Sequence, residues 1–342
     1  MLNMKAGSFN EIIDEAFLAR NLKKQVIVDN ASFTKQPDLK HIVFGVDGDF
    51  LRHACIAMKS IIENAAQQLF SFHFITNEDV STINKKLTAI LTGTGHALTV
   101  HKISSTLFTN FPSTPLFTKA IYYRLLAPHI LSEEKSLLYL DADIICLRPF
   151  REIWEEYDIL SETAFVALEN SEFTDELSDS IGLKGKNYFN SGVMLINIPA
   201  WIKNNITLAA LSVLERHGHQ FKYPDQDALN KVLEGKAGFL ATKYNTIFKI
   251  EHDLNGYLAL PPEETVFLHY AGADKPWQSW NEQAACKYYR RMHASSCWSS
   301  VSFDKPVKDW QAKKMYKLMF KKKSFVQGLR WYFTYLIFRY FK

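Results

Sequence analysis

Two aspartates, Asp141 and Asp143, directly follow a short apolar run near the middle of the 342-residue chain. The run Leu-Leu-Tyr-Leu is too short to cross a membrane and predicts a buried β-strand that ends at Leu140. Open α/β sheets bind ligands at the carboxyl ends of their strands. Two neighbouring carboxylates repel unless a cation joins them, and oxygen ligands suit Mg2+ or Mn2+. A turn that merely closes the strand is the alternative that this pair alone leaves open.

Three further polar residues stand next to apolar runs. Asp47 follows the run that begins at His41, and it can contact a base or ribose or cap the following helix. Arg124 can reach an anionic ligand or remain a surface charge. Asn190 precedes an apolar strand and can face a cleft or complete a turn.

The second half of the chain adds two denser clusters. Asp225 and Gln226 follow a proline at a predicted helix start, where capping explains an acid but not the glutamine. His269 ends another apolar run, with Gly272 and Lys275 close behind it. A lone histidine there is more often structural, but an imidazole can complete a carboxylate metal site, while glycine and lysine can meet phosphate oxygens.

The elements that position these residues alternate between strand and helix. Apolar runs near residues 41–46, 70–76 and 97–101 predict strands, and the segments between them predict helices, the second at 79–92. This order predicts an α/β fold with a mostly parallel sheet covered by helices on both sides. No GxGxxG motif follows the first strand, so no dinucleotide cradle is indicated.

Other elements are predicted from shorter patterns. Residues 9–21 and 25–29 indicate a short helix and an edge strand, and residues 104–116 a loop. A helix at 118–126 is expected to end because of Pro128. Strands at 144–147, 165–168 and 187–197, and helices at 150–157, 206–217 and from 224, follow. The polar segment 170–187 is expected to be a mobile active-site loop.

Composition excludes several classes of protein. With 47% hydrophobic and 22% charged residues, the chain can bury one large core. Its cysteines, at positions 55, 146, 286 and 297, have no CxxC spacing, so neither a zinc site nor a disulfide framework is indicated, and a reduced cytosolic setting is expected. The pattern of charged and apolar residues indicates neither a secretory leader nor an apolar stretch of about 18 residues.

The positive charge is confined to the end of the chain. Residues 305–342 hold nine Lys and two Arg against Asp309, a net +10, whereas the remaining 29 basic and 35 acidic residues give −6. This asymmetry argues against a nucleic-acid-binding protein. Lys321, Lys322 and Lys323 precede an aromatic-rich segment, which predicts a helix lying on an anionic membrane surface. A helix packed on the catalytic part or on a second subunit is the alternative.

Seven blocks, taken together, resemble the family 8 glycosyltransferases, which are retaining, metal-dependent sugar transferases of the GT-A nucleotide-diphospho-sugar fold. The resemblance is greatest to the bacterial lipopolysaccharide outer-core α-glucosyl- and α-galactosyltransferases. The blocks are Phe44-Gly-Val-Asp47, Tyr122-Tyr-Arg124, Leu138-Tyr-Leu-Asp141-Ala-Asp143, Tyr188-Phe-Asn190-Ser-Gly192-Val-Met-Leu-Ile-Asn197, Pro224-Asp225-Gln226-Asp227, Tyr244-Asn245-Thr246 and His269-Tyr-Ala-Gly272-Ala-Asp-Lys275-Pro-Trp277.

The resemblance implies a role for each site residue. Asp141, Asp143 and His269 would bind Mn2+ or Mg2+ with the donor diphosphate. Contacts to the UDP-sugar would come from Gly45, Val46, Asp47, Arg124, Glu169, Gly272 and Lys275. Relatives often have an aspartate where this chain has Glu169. Catalytic contacts to the transferred sugar would come from Asn190, Asp225 and Gln226.

The resemblance also implies a reaction. The chain would move glucose or galactose from UDP onto the lipopolysaccharide core, with α-1,2-glucosyl transfer favoured over α-1,3-glucosyl or galactosyl transfer. Front-side attack is favoured because Gln226 is neutral, and Asp225 is the rival nucleophile. A non-enzymatic sugar-nucleotide-binding membrane protein is the alternative. The expected division is an N-terminal extension at 1–40, a GT-A catalytic domain at 41–284 and a membrane-associating region at 285–342, peripheral on the cytoplasmic face of the inner membrane.

Overall fold

A large sheet organises the computed structural model, which describes residues 13–29, 39–114, 117–169, 173–248 and 258–341. The strands are β1 Leu22–Val28, β2 Lys40–Gly45, β3 Phe70–Thr76, β4 Ala97–Ile103, β5 Ser136–Leu140, β6 Ile144–Cys146, β7 Ala164–Leu168, β8 Phe189–Asn197, β9 Ala237–Phe239, β10 Thr246–Ile247 and β11 Phe267–His269. The α-helices are α1 Glu15–Asn21, α2 Phe50–Glu63, α3 Asn84–Leu91, α4 Ala127–Ile130, α5 Thr174–Ile181, α6 Ile198–Lys203, α7 Ile206–His217, α8 Pro224–Leu233, α9 Cys286–Ala294, α10 Asp309–Lys321 and α11 Phe325–Tyr340. Short 3-10 helices include Lys119–Leu126, Arg151–Trp154 and Thr242–Asn245.

Eight strands form the main sheet in the order β1-β4-β3-β2-β5-β8-β7-β9. Four of its seven pairings are parallel, and β1, β5 and β7 each pair antiparallel with a neighbour. The mostly parallel α/β sheet predicted from the sequence is therefore confirmed, although it is mixed. The strands are apolar on both faces because helices cover both, α2 on one side and α6, α7 and α8 on the other.

Three histidines cross the helix-covered sheet on one face. β2, β3 and β4 each contribute one histidine, His41, His73 and His101, on the same face as Val43 and Ile75. His41 Nδ1 lies 3.1 Å from His73 Nε2, and His73 Nδ1 lies 3.0 Å from His101 Nε2. All three side chains are buried. We call these residues the histidine row.

A second, three-stranded sheet brings distant segments together. Its order is β10-β11-β6, and β6 begins immediately after the Asp141-Ala142-Asp143 turn. In the antiparallel β11–β6 pairing, His269 stands opposite Ile144. The Tyr270 N–H donates to the Asp143 carbonyl at 3.0 Å. Strand register therefore places the end of β11 beside this turn.

Most predicted elements are present, and three predictions are wrong. The helix predicted at 118–126 is a 3-10 helix, and helical structure continues past Leu126 into α4. Pro128 stands in the first turn of α4, where a backbone N–H would have no partner within the helix, so the proline is tolerated there. The segment 170–187 is not wholly a loop, since it contains α5, which buries Leu177 and Ile181 and ends at left-handed Gly182. The helix expected at 150–157 is only a four-residue 3-10 turn. The predicted helix at 9–21 lies partly outside the described residues. Within them, α1 begins at Glu15.

The end of the chain forms a helical hairpin, α10 and α11, which we call the C-terminal hairpin. The two helices pack closely because Gly328 leaves room for the Phe320 ring, which would lie 2.6 Å from an added Cβ. Tyr316 on α10 contacts the Tyr332 and Tyr335 rings on α11, at centroid distances of 5.3 and 5.4 Å. Across the helices of the described ranges, none has both the length and the hydropathy of a membrane span.

Candidate active site

A cavity of about 700 Å3 opens at the carboxyl ends of β2 and β5 and before α8. It lies where open α/β sheets bind their ligands. Every residue predicted from the sequence for the site lines it: Gly45, Val46, Asp47, Arg124, Asp141, Asp143, Glu169, Asn190, Asp225, Gln226, His269, Gly272 and Lys275. The structure therefore brings the predicted residues together, and their individual roles remain predictions.

Three potential metal ligands converge at one end of this cavity. Asp141, Asp143 and His269 each offer a ligand atom, and these atoms lie within 4.8 Å of one another. His269 Nε2 is 3.2 Å from Asp143 Oδ1 and 3.9 Å from Asp141 Oδ2. Two carboxylates with an imidazole form a donor set that Mn2+ and Mg2+ accept.

Backbone donors fix the protonation of His269. The Gly192 N–H donates to Asn190 Oδ1 at 2.9 Å, which identifies that atom as the amide oxygen. Asn245 Nδ2 donates to the same oxygen at 3.0 Å, so Asn245 Oδ1 must face His269 Nδ1, at 3.0 Å. His269 Nδ1 therefore carries the hydrogen, and Nε2 presents a lone pair towards Asp143. Two facing acceptors require a cation or a proton between them, so this donor set fits a metal ion.

The backbone of β8 leaves space for these ligands. The register between β7 and β8 shifts after Val166, and this bulge leaves residues 191–193 without partners on β7. A Cβ on Gly192 would lie 2.4 Å from His269 Cε1 and 2.9 Å from Asp141 Oδ2. Only glycine therefore fits between these two predicted ligands.

Lys275 supplies a positive charge beside the predicted ligands. Its Nζ forms an ion pair with Asp143 Oδ2 and donates to the Tyr270 carbonyl at 2.8 Å. Burial alone would raise the pKa of Asp143, but the neighbouring Lys275 ammonium holds that pKa well below its usual range. Gly272, three residues earlier, has a φ of +95°, which favours glycine in this turn.

Arg124 joins the aspartate turn to the start of α8. Its Nη2 donates to Asp141 Oδ1 at 2.8 Å, and its Nε lies 3.2 Å from Asp225 Oδ2. Nη1 donates to the carbonyl and hydroxyl of Ser191 at 2.7 and 2.8 Å. Burial raises the pKa of Asp225 to about 6, and the neighbouring Arg124 charge opposes part of that rise. Arg124 thus braces two predicted site residues.

A chain of amide hydrogen bonds extends from the predicted metal ligands to α8. Asn190 Nδ2 donates to Gln226 Oε1 at 3.0 Å, and the Ser191 N–H donates to the same oxygen at 3.1 Å. Gln226 Nε2 donates to the Tyr188 hydroxyl at 3.1 Å, and that hydroxyl donates to Asp227. We call the sequence His269, Asn245, Asn190, Gln226, Tyr188 and Asp227 the amide chain. It holds Gln226 in one orientation beside the cavity.

The end of β2 and the residue after β7, Glu169, also line the cavity. Gly45 ends β2, and an added Cβ would lie 3.0 Å from Tyr123 Cβ. Burial raises the pKa of Asp47, which also bonds to the Thr118 side chain. Glu169 follows β7, and its N–H donates to the Tyr188 carbonyl at 2.9 Å.

Sequence reasoning assigned no role to several residues that organise the site. Asn245, Gly192 and Tyr188 all stand inside the seven blocks, so the pattern included them but did not distinguish ligands from their supports. Tyr139, whose hydroxyl donates to Asp141 Oδ1 at 3.1 Å, resembled an ordinary strand residue. Only the side-chain contacts identify these supporting roles.

Two family models together match most of the chain. A model described as glycosyl transferase family 8 matches residues 41–281, and one described as glycosyl transferase family 8 C-terminal matches residues 284–338. The first segment includes every residue predicted for the site. The second includes α10 and most of α11.

Individual proteins show similarity over most of the chain. It is 30% identical to a lipopolysaccharide 1,3-galactosyltransferase of Salmonella typhimurium, over 91% of this chain and 95% of the relative. It is 31% identical to a lipopolysaccharide 1,2-glucosyltransferase of Escherichia coli, over 84% and 88%. A structure of the galactosyltransferase LgtC with donor and acceptor sugar analogues superposes with a TM-score of 0.65 at 21% identity, over 75% of this chain and 96% of that one.

Proposed function

The chain belongs to the family 8 glycosyltransferases, and we propose that it transfers a hexose from a UDP-sugar to the core of a lipopolysaccharide. The observation that carries this proposal is the convergence of Asp141, Asp143, His269 and Lys275 in one cavity. The proposed acceptor is taken from the two relatives described above, which are named as lipopolysaccharide glycosyltransferases.

The charges around the cavity suit a sugar diphosphate. Mn2+ or Mg2+ held by the two aspartates and His269 would neutralise the charge that develops on the leaving diphosphate. Lys275 contributes a further positive charge, and it would exchange Asp143 for phosphate oxygens when the donor binds. Gly272 brings the backbone of the same turn close to the phosphates. Gly45, Val46 and Asp47 would hold the uridine, and Glu169 would meet a hydroxyl of the transferred sugar.

We propose front-side transfer with retention of configuration. The acceptor O–H bond breaks, its oxygen bonds to the anomeric carbon, and the bond from that carbon to the phosphate oxygen breaks. UDP leaves with the proton. Gln226 supports this route because its amide is held by Asn190 and Tyr188 and is a poor nucleophile. Asn190 would contact the transferred sugar from the same side of the cavity.

Asp225 is the rival nucleophile. Its side chain is buried, with 5% exposure, and the ion pair with Arg124 restrains the orientation of its carboxylate. We expect Asp225→Asn and Gln226→Ala both to slow turnover. Mass spectrometry of rapidly quenched enzyme distinguishes the routes, because a hexose covalently attached to Asp225 would overturn front-side transfer.

The donor and linkage are proposed from the sequence blocks. We propose α-1,2-glucosyl transfer, with α-1,3-glucosyl or galactosyl transfer as the alternative, since the two relatives of different linkage are about equally similar. The test measures UDP release from UDP-glucose and UDP-galactose with truncated lipopolysaccharide cores, with and without Mn2+. Absence of metal-dependent turnover with either donor would favour a non-enzymatic sugar-nucleotide-binding protein.

We further propose that the C-terminal hairpin rests on an anionic lipid surface at the cytoplasmic face of the inner membrane. Lys321, Lys322 and Lys323 lie beside exposed apolar side chains of α11, an arrangement that suits an interfacial helix. The exposed apolar residues of this surface are Phe325, Val326, Leu329, Tyr332, Phe333, Ile337, Tyr340 and Phe341. This assignment makes residues 41–284 the catalytic domain, 285–342 the membrane-associating region and 1–40 an extension.

Vesicle sedimentation tests the membrane proposal. Phe333→Glu combined with Ile337→Glu should release the protein from vesicles that contain anionic phospholipid, because both side chains are more than half exposed. Helical content should stay unchanged, since neither residue is buried in the hairpin. Equal sedimentation of the variant and the unaltered protein would contradict membrane docking through this face.

A further inference from the structure

The turn that carries Gly272 and Lys275 is attached to the C-terminal hairpin by an ion pair. Lys314 on α10 directs its Nζ at both carboxylate oxygens of Asp274, at 3.1 and 3.3 Å. The two side chains are 34% and 19% exposed, so water screens this pair only in part. Asp274 stands between the two residues proposed to meet the donor phosphates.

Two further contacts join the same segment to the hairpin. The Trp280 side chain packs among Met315, Leu318 and Met319 of α10. Lys322 directly follows α10, and its Nζ lies 3.9 Å from Glu282 Oε2. The hairpin therefore contacts the segment at three separated points, at residues 274, 280 and 282.

Hydrogen bonds within the segment carry these attachments back to Lys275. The Lys275 N–H donates to Gln278 Oε1 at 2.9 Å, and Asn281 Nδ2 donates to the Lys275 carbonyl at 3.0 Å. Gln278 Nε2 donates to the Ala273 carbonyl at 3.0 Å. Asn281 is adjacent to Trp280, which packs on the hairpin. Movement of the hairpin would therefore reach the Lys275 backbone through Asn281.

We propose that Lys314 is a positioning residue, which acts through Asp274 to hold the turn 271–276 in the conformation that receives the donor diphosphate. The inference rests on the proposed function, because it takes Lys275 and Gly272 as the phosphate contacts. It assigns the hairpin a catalytic use that is separate from membrane attachment. A hairpin that served only as an anchor would need no ion pair next to Lys275.

Three variants on α10 separate positioning from general stability. Lys314→Met removes the charge that pairs with Asp274, Lys314→Arg retains it, and Lys317→Met removes an exposed lysine of the same helix as the matched control. Two measurements are made on each full-length protein. Hydrogen exchange reports the order of residues 271–276, and calorimetry with UDP and Mn2+ reports nucleotide affinity.

The expected result is specific to one variant. Lys314→Met should speed amide exchange in residues 271–276 and weaken UDP binding by about two- to fivefold, as expected for loss of a partly screened ion pair. KM for the donor should rise while KM for the acceptor stays the same. Lys314→Arg should largely restore both values, and Lys317→Met should match the unaltered protein.

Other outcomes overturn the inference. Unchanged exchange and unchanged UDP affinity in Lys314→Met would show that the ion pair does not position the turn. Faster exchange with unchanged affinity would show that the held conformation is not the one that binds the nucleotide. If the unaltered protein fails to bind UDP with Mn2+, the proposed function fails first, which distinguishes that result from failure of the positioning role alone.

Discussion

Two buried hydrogen-bonded chains in this molecule each end on a bare imidazole nitrogen, and only the amide chain reaches the site cavity. In the histidine row, Glu134 lies 3.3 Å from His41 Nε2 and so places a hydrogen there. His41 Nδ1 then accepts from His73, and His73 Nδ1 accepts from His101. His101 Nδ1 is left buried without a hydrogen-bond partner among the residues that the structure describes.

The amide chain ends in the opposite kind of surroundings. Its polarity is set by backbone N–H groups of β8, and it ends with His269 Nε2 facing Asp143 at 3.2 Å. Acids and Lys275 surround that nitrogen at the wall of a cavity of about 700 Å3, which no member of the histidine row lines. Burial of a hydrogen-bonded histidine is therefore no indication of function by itself. Convergence of charge on an open cavity distinguishes the site.

The two chains also tolerate burial in different ways. Burial lowers the pKa of His41 and His73, and it lowers the pKa of His101 to about 4, so the row remains neutral. Asp143 instead keeps its charge because the Lys275 ammonium compensates for its burial. An ion pair can exchange one partner for a metal ion or a phosphate, whereas the neutral row has no charge to exchange and does not line the cavity.

The largest expected effect comes from Asp143→Asn. Removing this carboxylate charge should lower metal-dependent hexose transfer by on the order of 1,000-fold, because the proposed metal loses a ligand and Lys275 loses its partner. The variant should still fold, but at a lower thermal midpoint, because the buried Lys275 charge is left without its partner. The measurement is UDP release across an Mn2+ titration, with the exposed Asp179→Asn as control. Retention of more than a tenth of the activity would place Asp143 outside the site chemistry.

Asn245→Ala should have the next largest effect. Without the Asn245 oxygen, His269 Nδ1 is no longer fixed as the protonated nitrogen, so Mn2+ should bind about 10- to 100-fold more weakly. Asn245→Asp keeps an acceptor for Nδ1 and should lose less. Mn2+ affinity measured by electron paramagnetic resonance checks both variants. Equal affinity in Asn245→Ala and the unaltered protein would contradict the orienting role.

The sequence identified the residues that converge in the cavity better than the residues that support them. Asp141, Asp143, His269 and Lys275 have side chains that do chemistry, and their blocks resemble a known family. Asn245 was not distinguished, because its role depends on a 3-10 turn that brings it beside β11. Side-chain contacts between distant segments follow from strand register, which a single sequence does not specify.

The fold shows the same division between local and distant information. Strand β3 and helix α7 have the predicted bounds because their periodic patterns are long. The failure at Pro128 came from treating proline only as a helix terminator. The histidine row was missed for a different reason. Each of the strands β2, β3 and β4 visibly contains one histidine, but only the relative register of these strands puts the three rings in contact.

His73→Ala tests the other side of the comparison. Loss of the central ring leaves polar groups of His41, Ser71 and His101 without their partner, which should lower the free energy of unfolding by about 1–3 kcal/mol. Turnover at saturating donor should remain within about twofold at a temperature where the variant is folded. Chemical denaturation and UDP release are the two measurements, and exposed His219→Ala is the matched control. A tenfold fall in turnover of folded His73→Ala would mean that the row is coupled to the site.

His101→Gln should produce the smallest effect, and it appears only as a dependence on pH. Burial lowers the pKa of folded His101 to about 4, below the value of 6.5 taken for the unfolded chain, and the charges of Lys24 add to this lowering. The unfolded state therefore binds more protons between these values, so the stability that neutral His101 contributes is present above pH 6.5 and is lost as the pH falls towards 4.

Between pH 6.5 and 5.5 this residue should account for about 1 kcal/mol of the loss in unfolding free energy. Glutamine does not titrate, so His101→Gln should show a correspondingly smaller decrease over that interval, measured by urea denaturation at each pH. Its activity profile should follow that of the unaltered protein. An identical pH dependence of stability in both proteins would show that His101 is not held neutral. The contrast between a neutral row and a charged site would then not hold for the last residue of the row.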